Sequence, residues 1–149
     1  MKQSATENNY VTAMGSEEGK TLIFRCLEDL PEGAKETDYP NLLSIYWSYN
    51  SPNENGMPDS ATNETQIEFE DAVQEFDEVG FSHLALVVTG NGRKEWHWYA
   101  HNIEAWMERL NNRLADKPPF PIEIRLNEAN DWSLYHGLKS SLAAEASDE

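Results

Sequence analysis

The triplet Gly90-Asn91-Gly92 constrains this chain more than any other feature, because it separates two runs of strand character, His83 to Thr89 and Arg93 to Ala100. Glycine and asparagine supply the left-handed backbone a tight reversal needs, so the two runs are predicted to pair as an antiparallel hairpin. A hairpin by itself is marginal in water and needs further strands or a covering helix. The flanking sequence offers both. Leu42 to Tyr49 reads as a strand, and a helix is predicted from about Glu64 to Glu78, where Thr65-Gln66-Ile67-Glu68 has the pattern of a capping box. Phe69, Ala72, Val73, Phe76 and Val79 form its apolar stripe, and Gly80 is its expected C-cap. Beyond the hairpin, Asn102 opens a second helix through Ile103, Trp106, Met107, Leu110 and Leu114, and Pro118-Pro119 stops it. Pro121 to Leu126 then alternates as a half-buried strand does.

From Leu42 onward the order is strand, helix, strand, strand, helix, strand. This is the ferredoxin-like βαββαβ arrangement, an α+β fold whose antiparallel sheet carries both helices on one face. One or two extra strands, Tyr10 to Met14 and Thr21 to Leu27, precede it, and a short C-terminal helix from Asp131 to about Leu142 follows. Glu28 to Pro40 and Asn50 to Thr62 read as loops, because proline and glycine interrupt them. A single domain is expected over residues 10–142, between a flexible N-terminus (1–9) and a flexible acidic tail (143–149).

The hairpin admits two registers, and register decides which side chains share a face. A two-residue turn at Asn91-Gly92 sets Val88 against Glu95 and Leu86 against His97, with Val87 and Ala85 against Trp96 and Trp98. A three-residue bulged turn gathers Leu84, Leu86 and Val88 with the two tryptophans and leaves His83, Glu95, His97 and Tyr99 together on an open sheet face. Imidazole and carboxylate groups so placed suit acid/base chemistry or a small-molecule site. The sequence has no HExxH, no CxxC pair and no calcium loop, so no metal and no cofactor are expected. It also lacks a GxSxG elbow, and Cys26 has no base nearby, so no catalytic residue is assigned.

Charge narrows the partners. The 149 residues carry 27 acidic and 11 basic side chains, a net charge of −16, while sixteen aromatic residues, five of them Trp, supply an ordered core. A polyanion repels phosphate backbones and anionic lipid, so neither direct nucleic-acid binding nor membrane binding is expected. The opening MKQSATENNY has no apolar run, and the one cysteine suits a reducing compartment, so the expected location is the cytoplasm. No basic residue occurs between Lys35 and Arg93, whereas eleven acids do. Seven of them, Glu64, Glu68, Glu70, Asp71, Glu75, Asp77 and Glu78, fall on or beside the first predicted helix and are expected to form one solvated acidic surface. Such a surface would steer a basic protein partner toward it in a salt-dependent way.

Several residues carry a resemblance. Tyr39-Pro40, Trp47, Gly56-Met57-Pro58, the acidic helix, Thr89-Gly90 with Arg93-Lys94-Glu95-Trp96 and Tyr99, and then Asp131-Trp132 and Tyr135 together resemble the bacterial domain of unknown function 695. The resemblance covers about residues 10–136. It implies a ferredoxin-like fold and no established activity. It also points to a family site at Gly56, Met57, Pro58, Arg93, Glu95, Tyr99, Trp132 and Tyr135. The chain is distantly similar, in addition, to the regulator of ribonuclease activity B family, small acidic proteins that bind and inhibit an RNA-degrading endonuclease. The resulting expectation is a non-enzymatic interaction or regulatory protein that docks a basic partner, such as a nuclease, through its acidic helix face. The alternative is a small-molecule-binding or hydrolytic domain using the open sheet face around His83, Glu95, His97 and Tyr99. The same uncovered face also offers a homodimer surface.

Overall fold

The computed structural model describes residues 10–50, 56–127 and 131–147, with side chains described through residue 141. The expectations for residues 1–9, for loop positions 51–55 and for the last two residues of the tail lie outside the described residues. Six antiparallel strands form one sheet: β1 (Tyr10–Glu17), β2 (Lys20–Leu27), β3 (Asn41–Ser48), β4 (Ser82–Gly90), β5 (Arg93–Ala100) and β6 (Glu123–Asn127). Their spatial order is β1-β2-β4-β5-β3-β6. Three helices complete this α+β fold: α1 (Ser60–Val73), α2 (Ile103–Leu114) and α3 (Ser133–Ser147).

The hairpin turns on two residues. Gly90 pairs with Arg93, and Asn91 and Gly92 have φ of 52° and 80°, the doubly left-handed geometry that Asn-Gly favours. A bulge between Leu84 and Leu86 then resets the alternation, so that Leu84, not Ala85, opposes Trp98 and His83 opposes Tyr99. The tight turn and the bulge together bring His83, Glu95, His97 and Tyr99 to one face, which neither simple register achieves with this turn.

Both faces of the central strands are buried. Leu43, Ile45 and Trp47 of β3 meet Trp96, Trp98 and Val87, and α1 and α2 cover them with Phe69, Val73, Trp106 and Leu110. Two indole groups in this layer find acceptors, Trp106 Nε1 donating to Ser82 Oγ at 3.0 Å and Trp96 Nε1 to Glu70 Oε2 at 2.7 Å, whereas Trp98 Nε1 is buried without one among the described residues. On the opposite face Leu22, Leu42, Leu86, Val88 and Tyr99 pack with Tyr39, Trp132 and Tyr135. The face expected to be open is therefore partly roofed by α3 and the segment before β3. Three aromatic side chains place that roof: Trp132 stacks on Tyr99 with ring centres 3.9 Å apart, Trp132 Nε1 donates to Tyr39 O at 2.8 Å, and Tyr135 Oη to Leu27 O at 2.5 Å.

Helix boundaries differ from expectation for local reasons. α1 starts earlier because Asp59, not the Thr65 region, caps it, accepting from Thr62 N at 2.8 Å. It ends at Val73 and passes into a 3-10 turn, Gln74–Phe76, so Val79 leaves the apolar stripe and stands 56% exposed, and Gly80 belongs to the next turn. α2 begins where expected, with Asn102 Oδ1 accepting from Ala105 N at 2.8 Å. α3 continues through Ser147, beyond the expected stop at Leu142.

Candidate functional site

Strand periodicity builds the site. Arg93, Glu95, His97 and Tyr99 recur at every second position of β5 and so share the face that looks toward α3. The β3–β5 register sets Ser44 directly opposite His97. A continuous hydrogen-bonded chain results. Ser44 Oγ lies 2.8 Å from His97 Nδ1, His97 Nε2 lies 2.9 Å from Glu95 Oε1, and Arg93 Nε donates to Glu95 Oε2 at 2.5 Å. Arg93 also donates to both carboxylate oxygens of Glu17, at 2.9 and 3.3 Å, and Asn91 Nδ2 donates to the nearer one at 2.9 Å. Ser44 and His97 are buried, and the Glu95 side chain is 13% exposed.

This chain opens into a cavity of about 800 Å³ between the sheet and α3. Its polar wall includes Glu17, Arg93, Glu95, His97 and Ser44, with Asn127 and Ser133 also in the lining, and its apolar lining includes Leu22, Phe24, Leu42, Leu86, Val88, Leu134 and Leu138. Arg125 and Tyr46 line it as well, with the guanidinium 5.2 Å from the ring centre. Burial alone would push the Glu95 carboxyl up, but the hydrogen bonds from His97 and Arg93, with the Arg93 charge, outweigh it and hold the group below the ordinary carboxylate range. Glu17 is lowered too, first by the hydrogen bond from Arg93 and then by that from Asn91.

Of the four residues expected to share an open face, Glu95 and His97 line the cavity, whereas His83 and Tyr99 are fully buried beside it. His83 Nδ1 sits 2.8 Å from Asp77 Oδ1, and its ring meets Tyr39 edge-on at 4.7 Å. Tyr99 lies under Trp132; burial raises its phenol pKa to about 12. Trp132 and Tyr135 are accordingly fasteners of α3. Gly56 holds the hairpin turn: its carbonyl accepts from Gly92 N and from Tyr49 Oη, both at 2.9 Å. At φ 76° a Cβ on Gly56 would come within 2.8 Å of the Asn91 backbone, so glycine is required there. Met57 and Pro58 follow it, half-buried and outside the cavity lining.

The acidic surface is smaller than expected. Asp77 is buried against His83, which corrects its place on a solvated face. Glu70 meets Lys94 at 3.1 Å and Arg25 at 3.9 Å, Glu75 meets Arg113 at 2.6 Å, and Glu78 meets Arg109 at 3.0 Å. Glu64, Glu68 and Asp71 remain exposed. The basic residues that neutralise the others come from β2, β5 and α2, distant in sequence, which is why a base-free segment overstated the local field.

Sequence reasoning missed Ser44 and Glu17. Ser44 did leave a signal, as the one small polar residue inside Leu42-Leu43-Ser44-Ile45-Tyr46-Trp47. Among the described residues, no group of three His, Cys, Asp or Glu side chains is placed to hold a metal ion, and no helix is long and apolar enough to cross a membrane.

Fold and pocket together define a small α+β fold with an open cavity against its sheet. Residues 8–138 match the pattern of a family described as "Family of unknown function (DUF695)", and the chain belongs to that family. No curated protein matches the chain. No solved structure matches it either.

Proposed function

We propose that this domain binds a small organic molecule in the cavity beneath α3, with Arg93, Glu95, His97 and Ser44 as its polar end and the leucine-rich lining as its apolar wall. The observation that carries this reading is one continuous hydrogen-bond chain, buried at its Ser44–His97 end, that opens into a cavity of about 800 Å³. Binding pockets commonly measure roughly 300–1,000 Å³ and combine apolar walls with a few placed polar groups. A buried polar network is costly unless its partners are satisfied, and here each member has them. The test is a fragment screen by ligand-observed NMR on the wild-type protein and on Val88→Phe, which fills the cavity floor. Fragments that bind the first and not the second support the reading. Fragments that bind both equally, or none at all, sink it.

Docking of a basic partner through α1 is the second reading, and the net charge of −16 favours it. It rests on Glu64, Glu68 and Asp71, since the other acids of that group are matched within the domain. Capture of a partner that is unchanged between low and moderate ionic strength contradicts it. The strand order β4-β5-β3-β6, with α1 and α2 on one face, supports a ferredoxin-like core extended by the β1-β2 hairpin. A lone buried Cys26 supports residence in a reducing compartment such as the cytoplasm.

A further inference from the structure

The hydrogen-bond chain has a direction, and the direction selects a ligand. Glu95 receives Arg93 Nε at one oxygen and His97 Nε2 at the other, so it acts as an acceptor at both. A neutral imidazole that gives its Nε2 proton to Glu95 has only a lone pair left at Nδ1. Among the described residues the hydrogen-bond partner at Nδ1, at 2.8 Å, is Ser44 Oγ, whose hydroxyl must then donate to the ring. That spends the only proton of Ser44 and leaves oxygen lone pairs on Ser44 and Glu95 at the cavity wall. Charge agrees with this polarity: the carboxylates of Glu17 and Glu95 flank the guanidinium of Arg93, so these three groups together carry one net negative charge.

Resting on the small-molecule reading above, we propose that, with His97 neutral, the cavity takes a molecule with an apolar body and a terminal hydrogen-bond donor, an amine or an alcohol. The donor is received by Ser44 Oγ and the Glu95 carboxylate, and the body lies on Leu42, Leu86 and Val88. A carboxylate or phosphate of the same shape meets acceptors at Ser44 and Glu95, and the N–H groups that Arg93 has left belong to a cation already outweighed by the two carboxylates beside it. Arg125 stands opposite Ser44 in the β3–β6 register, but its guanidinium lies over Tyr46, its side chain is 70% exposed and Glu123 is 3.6 Å away, so solvent and Glu123 screen its charge.

The experiment uses three probes with one skeleton, n-hexylamine, n-hexanol and hexanoate, titrated into the full chain and followed through its amide NMR spectrum. The amine and the alcohol are expected to shift the Ser44, Glu95 and His97 resonances, and hexanoate to bind at least about tenfold more weakly, the factor expected when buried acceptors face an acceptor. Ser44→Ala should weaken the alcohol and Glu95→Gln the amine, each by about tenfold. The comparison on wild-type protein needs neither variant to fold. Hexanoate binding as tightly as the amine overturns the donor inference and leaves the pocket reading standing, since that reading depends only on Val88→Phe blocking the site. An amine that binds while the alcohol does not, with Glu95→Gln making no difference, overturns it too, as general attraction to a polyanion. So does the absence of any shift with either donor.

Discussion

Replacing Trp132 by Ala should loosen α3 from the sheet without dismantling the α1/α2 side of the core. Trp132 is 1% exposed, lies flat on Tyr99 at 3.9 Å with 13° between the rings, and gives its indole proton to Tyr39 O at 2.8 Å. Truncating a buried tryptophan costs about 3–5 kcal/mol. Within that sum, the aromatic pair is worth about 0.5–1.5 kcal/mol and the indole hydrogen bond about 1 kcal/mol. Trp132→Phe keeps most of the stacking and loses the donor, so it should cost about 1–2 kcal/mol, between the wild type and the alanine variant. Urea unfolding followed by far-UV circular dichroism gives the totals without relying on the removed fluorophore. Native-state hydrogen exchange gives the location: in Trp132→Ala the α3 amides should lose protection while β3, β4 and β5 keep theirs. A loss below about 1 kcal/mol, within the range of an ordinary surface change, with unaltered protection in α3, would refute the assignment of Trp132 as the fastener of the roof.

Three further outcomes are expected. Gly56→Ala should lower the thermal midpoint by an amount equivalent to about 2 kcal/mol or more, because it combines a left-handed backbone at φ 76° with a 2.8 Å approach to the Asn91 backbone. Glu95 has a folded-state pKa below its unfolded one, so its contribution is present above about pH 4.3 and is lost as the pH falls through the depressed folded value. Between about pH 5 and 3, therefore, wild-type stability should fall more steeply than that of Glu95→Gln, as measured by urea midpoints across the series. Asp77→Ala should cost about 1–3 kcal/mol in the same assay, because it strips a 2.8 Å partner from the fully buried His83.

The hairpin was legible because Asn91-Gly92 satisfies a backbone requirement few other pairs meet, and α2 because Asn102 and a regular apolar spacing mark its start and buried face. Much of the site was harder to read. The bulge at Ala85 has no mark in its own residue type, yet it moves His83 across the sheet. Roofing by α3 depends on Trp132 meeting Tyr99 and Tyr39, contacts between positions far apart in the chain that no local pattern encodes. Arg93, Glu95 and His97 could be placed on one face by period two alone. Ser44 could not be matched to His97 without the β3–β5 register, although a serine amid apolar strand residues was visible. Acidity was the feature most easily overread, since Lys94, Arg109 and Arg113 return to the first helix only after folding.

The ring-nitrogen NMR shifts of His97 at neutral pH test the account most directly, because the ligand polarity of the cavity follows from where that proton sits. A protonated Nε2 and an unprotonated Nδ1, with Nδ1 shifting further when n-hexanol binds beside Ser44, is the predicted result. A proton on Nδ1 with Nε2 bare would reverse the Ser44 hydroxyl and contradict the acceptor-lined cavity.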